Sequence, residues 1–359
     1  MSESNADDSS EARCDTQSGV TAALTGIGLI VGALILAACG SPSPRSDGGL
    51  ASGARLDSPS PAPTISCPAP TGFLPRWGMA LTGTANGAIA FGGAVPGTVT
   101  TYTSSADTWI SAAGCWQRVS SSTQPPARHD AGFGTDPHTG KQILYGGLST
   151  LPGPYVTNLH DTWTWTGSDW QAMAAGPSID SPTIITDSTG QLTLIGAGPR
   201  QALEVWHWVS GMWMQAASPH APSSRTGASA CYDSQLRQAV LFGGIGQDGV
   251  LRNDTWLWDG NDWLEATAAV RPPGRLGAAM TCAPHPLVFG GAGITKSLGD
   301  SWTYVGGTWV NATPAHSPEP RRDARFVTTN GHLRLIGGAS DTQSVVTWEW
   351  TGVDWSSQP

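Results

Sequence analysis

Five arginines in this 359-residue chain, Arg76, Arg128, Arg225, Arg275 and Arg322, each open an apolar stretch, and four aspartates, Asp107, Asp161, Asp254 and Asp300, recur behind them. Guanidinium and carboxylate groups repeated in this way can line a rim that receives a polar ligand, or can pair with one another and tie strands together. Pairing within a repeat and pairing with the preceding repeat each satisfy four cases, with Glu204 as a further acceptor, so both schemes stay open. Two connections near the front of the series are longer than their counterparts and supply Tyr102, Tyr155, Asn158 and His160, side chains able to stack on or hydrogen-bond a ligand. Catalytic signatures are missing. The eight histidines are scattered, no HExxH or CxxC spacing occurs, and neither a Gly-x-Ser-x-Gly elbow nor a phosphate loop is present. The expectation is binding without catalytic residues, metal or cofactor.

The scaffold that must position these groups shows in the tryptophans. Six times a tryptophan is followed by another seven residues on, as Trp109/Trp116, Trp163/Trp170, Trp206/Trp213, Trp256/Trp263, Trp302/Trp309 and Trp348/Trp355. Each pair trails a small-residue doublet that closes an apolar run, and the first glycines of the doublets, Gly92, Gly146, Gly196, Gly243, Gly290 and Gly337, lie 54, 50, 47, 47 and 47 residues apart. A fixed spacing recurring at a longer period means one structural unit built six times.

The fourth unit reads Arg225-Thr-Gly-Ala-Ser-Ala-Cys-Tyr, Gln238-Ala-Val-Leu-Phe-Gly-Gly, Asp254-Thr-Trp-Leu-Trp and Trp263-Leu-Glu-Ala. These are four runs of strand length separated by turn residues. Asp-Gly-Asn-Asp between Trp258 and Trp263 makes a four-residue hairpin loop that sets the two rings opposite one another. A lone sheet with such a face would leave each ring short of roughly 1.5 to 3 kcal/mol of burial, so neighbouring sheets must cover it. The doublet glycines are expected to take positive φ and to let a neighbouring ring approach the backbone. Sheets stacked face to face around an axis form a propeller.

Over residues of about 72 to 359 the tandem doublets and spaced aromatics resemble the kelch repeat family, which implies an all-β, six-bladed kelch-type β-propeller with blades at about 72-122, 123-175, 176-220, 221-270, 271-317 and 318-359. The third unit departs from the pattern, with Gly-Ala-Gly at the doublet and Asp180 near the arginine slot; the first has Ile110-Ser111 in place of a second aromatic. No spare strand precedes Arg76, so the ring is expected to close without strand exchange. Kelch propellers include copper radical oxidases, whose sites resemble a cross-linked cysteine and tyrosine with a further tyrosine and two histidines. Tyr102, Tyr145, Tyr155, Tyr232 and Tyr304 do not supply that set, since Tyr145 and Tyr232 lie in strands.

Ahead of the repeats, residues 20 to 38 carry no charge and could cross most of a bilayer as a helix. They run into Leu36-Ala37-Ala38-Cys39, which looks like a lipobox, with cleavage before Cys39 and lipid on its thiol. The leader is acidic, with Glu3, Asp7, Asp8, Glu11 and Asp15 against Arg13, where a secretory signal is basic. A mis-set start codon or a retained anchor accounts for that. Residues 1-39 are thus read as signal peptide or anchor, 40-70 as a disordered Pro/Ser-rich tether, and 71-359 as the propeller on the extracytoplasmic face of the cell membrane. Cys231 and Cys282 fall at nearly the same place on neighbouring first strands, and Cys67 can reach Cys115; these two disulfides are the favoured pairing of the four remaining cysteines.

Of the formal charge of −9, −4 lies in the leader, which leaves no basic footprint for nucleic acid. Only 13% of residues are charged, a surface suited to neutral, hydrogen-bonding partners. The functional expectation is a monomeric, non-catalytic binding module for a protein or glycan. A kelch-type enzyme acting on sugars, an isomerase or hydrolase, and a structural spacer in an envelope complex are the alternatives.

Overall fold

The computed structural model describes residues 76–96, 102–112, 115–150, 156–340 and 347–358. The apolar segment, Cys39, the tether, Cys67 and Tyr155 lie outside the described residues. No helix occurs among the described residues, which form six four-stranded antiparallel meanders covering 80–119, 132–172, 180–215, 229–265, 279–311 and 321–358. These are the six blades of a β-propeller, numbered here in chain order. Each draws its four strands from one contiguous stretch, so the ring closes without strand exchange.

Blade 4 shows why the sequence folds this way. Its strands are Ser229–Asp233, Gln238–Phe242, Thr255–Trp258 and Trp263–Glu265. The apolar run Ala239-Val-Leu-Phe242 is buried throughout, because the second strand has a neighbour on each edge and a blade on each face. The outer hairpin pairs Trp258 with Trp263, ring centroids 5.4 Å apart. The same cross-strand pair recurs as Trp165/Trp170, Trp208/Trp213, Tyr304/Trp309 and Trp350/Trp355, at 5.0–5.4 Å. In blade 1, Ser111 faces Trp116 instead.

The outer indoles are sheltered by the preceding blade. Trp170, Trp213, Trp309 and Trp355 donate Nε1–H to the hydroxyls of Thr108, Thr162, Thr255 and Ser301, each on the third strand of the blade before, at 2.8–3.2 Å. The corresponding residue of blade 3 is Val205, and the buried Nε1 of Trp263 has no hydrogen-bond partner. An unmet buried donor costs free energy that an isosteric hydroxyl would recover. Val205→Thr is therefore expected to raise the unfolding free energy by about 1 kcal/mol. Urea denaturation checks this, and a loss of stability would mean that the introduced hydroxyl cannot reach the indole.

The doublet glycines hold blade to blade through backbone. Gly93, Gly244, Gly291 and Gly338 donate N–H to the carbonyls of Arg128, Arg275, Arg321 and Arg76 in the next blade, at 2.8–3.0 Å. The last of these closes the ring. A Cβ on Gly92, Gly290 or Gly337 would lie 2.3–2.4 Å from the next arginine's carbonyl oxygen, and all three glycines take φ near 70°. The expected approach of a neighbouring ring is thus replaced by an approach of backbone, which only a residue without Cβ admits.

This pattern also corrects one residue. The arginine of blade 6 is Arg321, not Arg322: Arg321 is buried and donates from Nε to Glu319 O and from Nη1 to Gly337 O. Arg128, Arg225 and Arg275 make the same two contacts in their blades. In blade 3 the slot holds the buried Ile179. Cys231 and Cys282 form a disulfide between blades 4 and 5, and Cys115 is disulfide-bonded, while the Cys67 assignment falls outside the described residues.

Candidate functional site

Two residues after each arginine slot the chain turns into the innermost strand. Here Gly78, Asp130, Ser181, Gly227, Gly277 and Asp323 all take positive φ, between 50° and 67°. Backbone amides link them around the axis: Asp130 N–H donates to Gly78 O, Gly78 to Asp323 O, Asp323 to Gly277 O and Gly277 to Gly227 O, at 2.6–2.9 Å. Gly227 N–H continues to Ser181 Oγ at 2.8 Å. The left-handed conformation is free for glycine and costs an L-residue about 1–2 kcal/mol. Three blades bear that cost and thereby gain a polar side chain at the axis, and such strain clusters at functional sites.

A cavity of about 470 Å³ opens there, with Asp130, Asp180, Ser181, Arg322, Asp323 and Arg325 among its walls. Arg322 Nη1 pairs with Asp323 at 2.6 Å, and Arg325 of blade 6 reaches Asp130 of blade 2 at 3.3 Å. Arg322 also lies over the Trp77 ring, 5.0 Å from its centroid. Trp77, Tyr102 and His129 pack edge to face beside this pair, with centroids 4.7–5.4 Å apart.

Burial raises the carboxyl of Asp130 above its ordinary range, with Arg325 and Arg322 acting in the opposite direction. Asp323 is pushed up by burial and then by the charge of Asp130, against the same two arginines. The pair therefore holds a proton to higher pH than separate aspartates would. Burial lowers His129 to about 4, against the charge of Asp323, so its imidazole is neutral. Ser104 Oγ and His129 Nδ1 share a 3.0 Å hydrogen bond, but His129 Nε2 is 3.9 Å from Asp130. The serine hydroxyl is buried and engaged by Thr150, so this is no nucleophilic triad. Among the described residues no group of three or more His, Cys, Asp or Glu could hold a metal ion.

The structure divides the sequence candidates. Arg76, Arg128, Arg225 and Arg275 are 0–4% exposed and each binds the aspartate of its own blade, Asp107, Asp161, Asp254 or Asp300, at 2.5–2.7 Å. Burial acts to raise those carboxyls, and the arginine bonds and charges outweigh it and hold them low. Arg322 instead faces the axial cavity, as does Asn158. Tyr102 packs on Trp77, and His160 Nε2 shares a 3.0 Å hydrogen bond with Asp180. The longer connections carry their residues there as a ribbon, Ala94–Pro96 with Tyr102–Ser104, and as the extended hairpin of Gln142–Thr150 with Val156–Trp165. Asp130, Ser181, Asp323, Arg325 and Trp77 are the residues that the repeat arithmetic passes over.

No protein-family model matches the chain. Among curated proteins it is similar to tRNA wybutosine-synthesizing protein 4 of Aspergillus fumigatus, 30% identical over 146 residues, which are 36% of this chain and 13% of that protein. The chain thus spans a small part of that relative. Among solved structures, that of YjhT aligns with a TM-score of 0.61 at 12% identity, covering 80% of this chain and 98% of YjhT. This likeness is one of fold, and it places the chain among six-bladed β-propellers similar in architecture to YjhT.

Proposed function

We propose that the chain is a membrane-tethered, extracytoplasmic kelch propeller whose axial cavity binds a glycan without chemical change. The observation that carries this reading is the ring of left-handed residues at the axis, in which Asp130 and Asp323 stand in a strained position that glycine fills in blades 1, 4 and 5, each with an arginine beside it. Carboxylates accept and guanidinium groups donate, so the two pairs match the vicinal hydroxyls of a sugar, and Trp77 lies beside them. The lipobox-like Leu36-Ala37-Ala38-Cys39 supports the tether, and the Cys231–Cys282 disulfide suits an oxidising compartment.

A glycan array probed with the full-length chain tests the reading. Saturable binding that Asp323→Asn and Arg325→Met each weaken about tenfold is expected, since each removes a charge-assisted hydrogen bond. Binding that ignores both substitutions, or an array without a hit, would reject the axial cavity as the site.

A sugar-acting enzyme, isomerase or hydrolase, is the second reading, favoured by the raised carboxyls of Asp130 and Asp323 at one cavity. A proton donor works only while protonated. Turnover of an array hit should then fall as pH rises through about 6, the value to which Asp323 is raised, and vanish in Asp323→Asn.

A further inference from the structure

The axial residues precede the innermost strands, so the turn between the first and second strands of each blade lies on the opposite face of the disc. On that face a second cavity, of about 460 Å³, opens in the cleft between blades 2 and 3. This is within the range of about 300–1,000 Å³ typical of small-ligand clefts.

Its walls are built rather than incidental. The turn in blade 2 is fixed by the buried Asp136, whose carboxylate accepts from His138 N–H at 3.0 Å and Thr139 Oγ1–H at 2.7 Å. This holds His138 and Lys141, one of the chain's two lysines, beside the cleft. From blade 3 comes Trp208, at the base of an outer hairpin that turns through Ser210 and Gly211 with φ of 49° and 87°. Gln171 of the outer strand of blade 2 and Gln191 complete the polar lining.

Two departures from the repeat meet in this cleft. The aromatic at the place of Trp208 is buried in blades 2, 4 and 5, where Trp165, Trp258 and Tyr304 are 3–5% exposed. Trp208 and Trp350 are only partly buried, and Trp208 lines the cavity. Thr164 also lines it, 2% exposed, and its Oγ1 has no hydrogen-bond partner. Thr162, one pleat earlier, accepts from Trp213. A buried hydroxyl without a partner calls for an explanation, and a ligand is one.

We propose that this cleft is a second binding site, independent of the axial one, in which a neutral sugar ring lies against Trp208 and its hydroxyls bond Thr164, Gln171 and Lys141. An indole with amides and hydroxyls around it suits a saccharide better than an anion, because Asp136 offsets the lysine and is itself used up by the turn.

Saturation-transfer NMR on the full-length chain with cellobiose, maltose and N,N′-diacetylchitobiose tests this. At least one should bind, about tenfold more weakly in Trp208→Ala and about fivefold more weakly in Thr164→Val, and equally well in Asp323→Asn. Thr164→Val is isosteric and removes only the hydroxyl, so it decides the matter even where Trp208→Ala does not fold. No binding by any of the three, binding untouched by Thr164→Val, or binding lost in Asp323→Asn would each overturn the assignment.

Discussion

Alanine at position 337 is expected to destabilise the propeller by about 4 kcal/mol, while alanine at position 306 costs about 1 kcal/mol. Both glycines are left-handed, with φ of 71° and 61°, so both substitutions meet the same backbone penalty. They differ in what the new methyl group touches. At Gly306 nothing lies within 4 Å, whereas at Gly337 the Cβ would sit 2.4 Å from the carbonyl oxygen of Arg76 and 2.8 Å from Met79 Cε. Arg76 O is also the acceptor of Gly338 N–H, the bond by which the last blade grips the first, and nearby Gly78 N–H donates to Asp323 O across the same seam. With no exchanged strand to hold this junction, relief of the clash must come from moving the blades apart. Calorimetry should show a melting temperature about 10 °C lower for Gly337→Ala and within about 3 °C of the parent for Gly306→Ala. Equal shifts in the two variants would mean that strain alone acts and that the seam tolerates a methyl group.

How much of this was legible in the sequence depends on the range of the interaction. The six units and the rings opposed across the outer hairpins follow from local spacing, because a hairpin joins residues that are neighbours in the chain. The arginine partners did not, since Asp300 and Asp254 lie at comparable spacing from Arg275 and only the packed blade brings Asp300 to it. The slip between Arg321 and Arg322 has the same source. The distance from arginine to doublet varies between blades, so Pro320-Arg321-Arg322-Asp323 offers two registers. The better ruler is the left-handed residue two positions on, where Arg76, Arg225 and Arg275 are followed by Gly78, Gly227 and Gly277. Aligned on that position, Asp130 and Asp323 stand out as charged residues in a glycine's place, which is the signal that locates the axial cavity.

The same register makes blade 6 the natural control for the arginine ties. Arg275 is 1% exposed, donates to both oxygens of Asp300 at 2.7 and 2.9 Å, and has Gly290 O and Pro273 O as further acceptors. Removing one partner of a buried pair leaves the other uncompensated, so Arg275→Met is expected to cost about 3–5 kcal/mol. Arg321 keeps the two carbonyl contacts, but its Nη2 has no hydrogen-bond partner, and burial pulls its pKa down against the charge of Glu319. Position 346, two before Trp348, is valine where blades 1, 2, 4 and 5 have aspartate. Arg321→Met therefore breaks no counterpart of the Arg275–Asp300 tie, and should change stability by less than about 1 kcal/mol. Protonation supplies the cross-check. Asp300 has a lowered pKa in the fold, so its tie stabilises fully above the unfolded value of 3.8 and is lost as pH falls through the folded one. The gap between the parent and Arg275→Met in urea should therefore be full at pH 7 and narrow below about pH 4, with no such narrowing for Arg321→Met. Equal costs for the two arginines, at either pH, would assign the stabilisation to the carbonyl contacts they share and not to the aspartate that only one of them has.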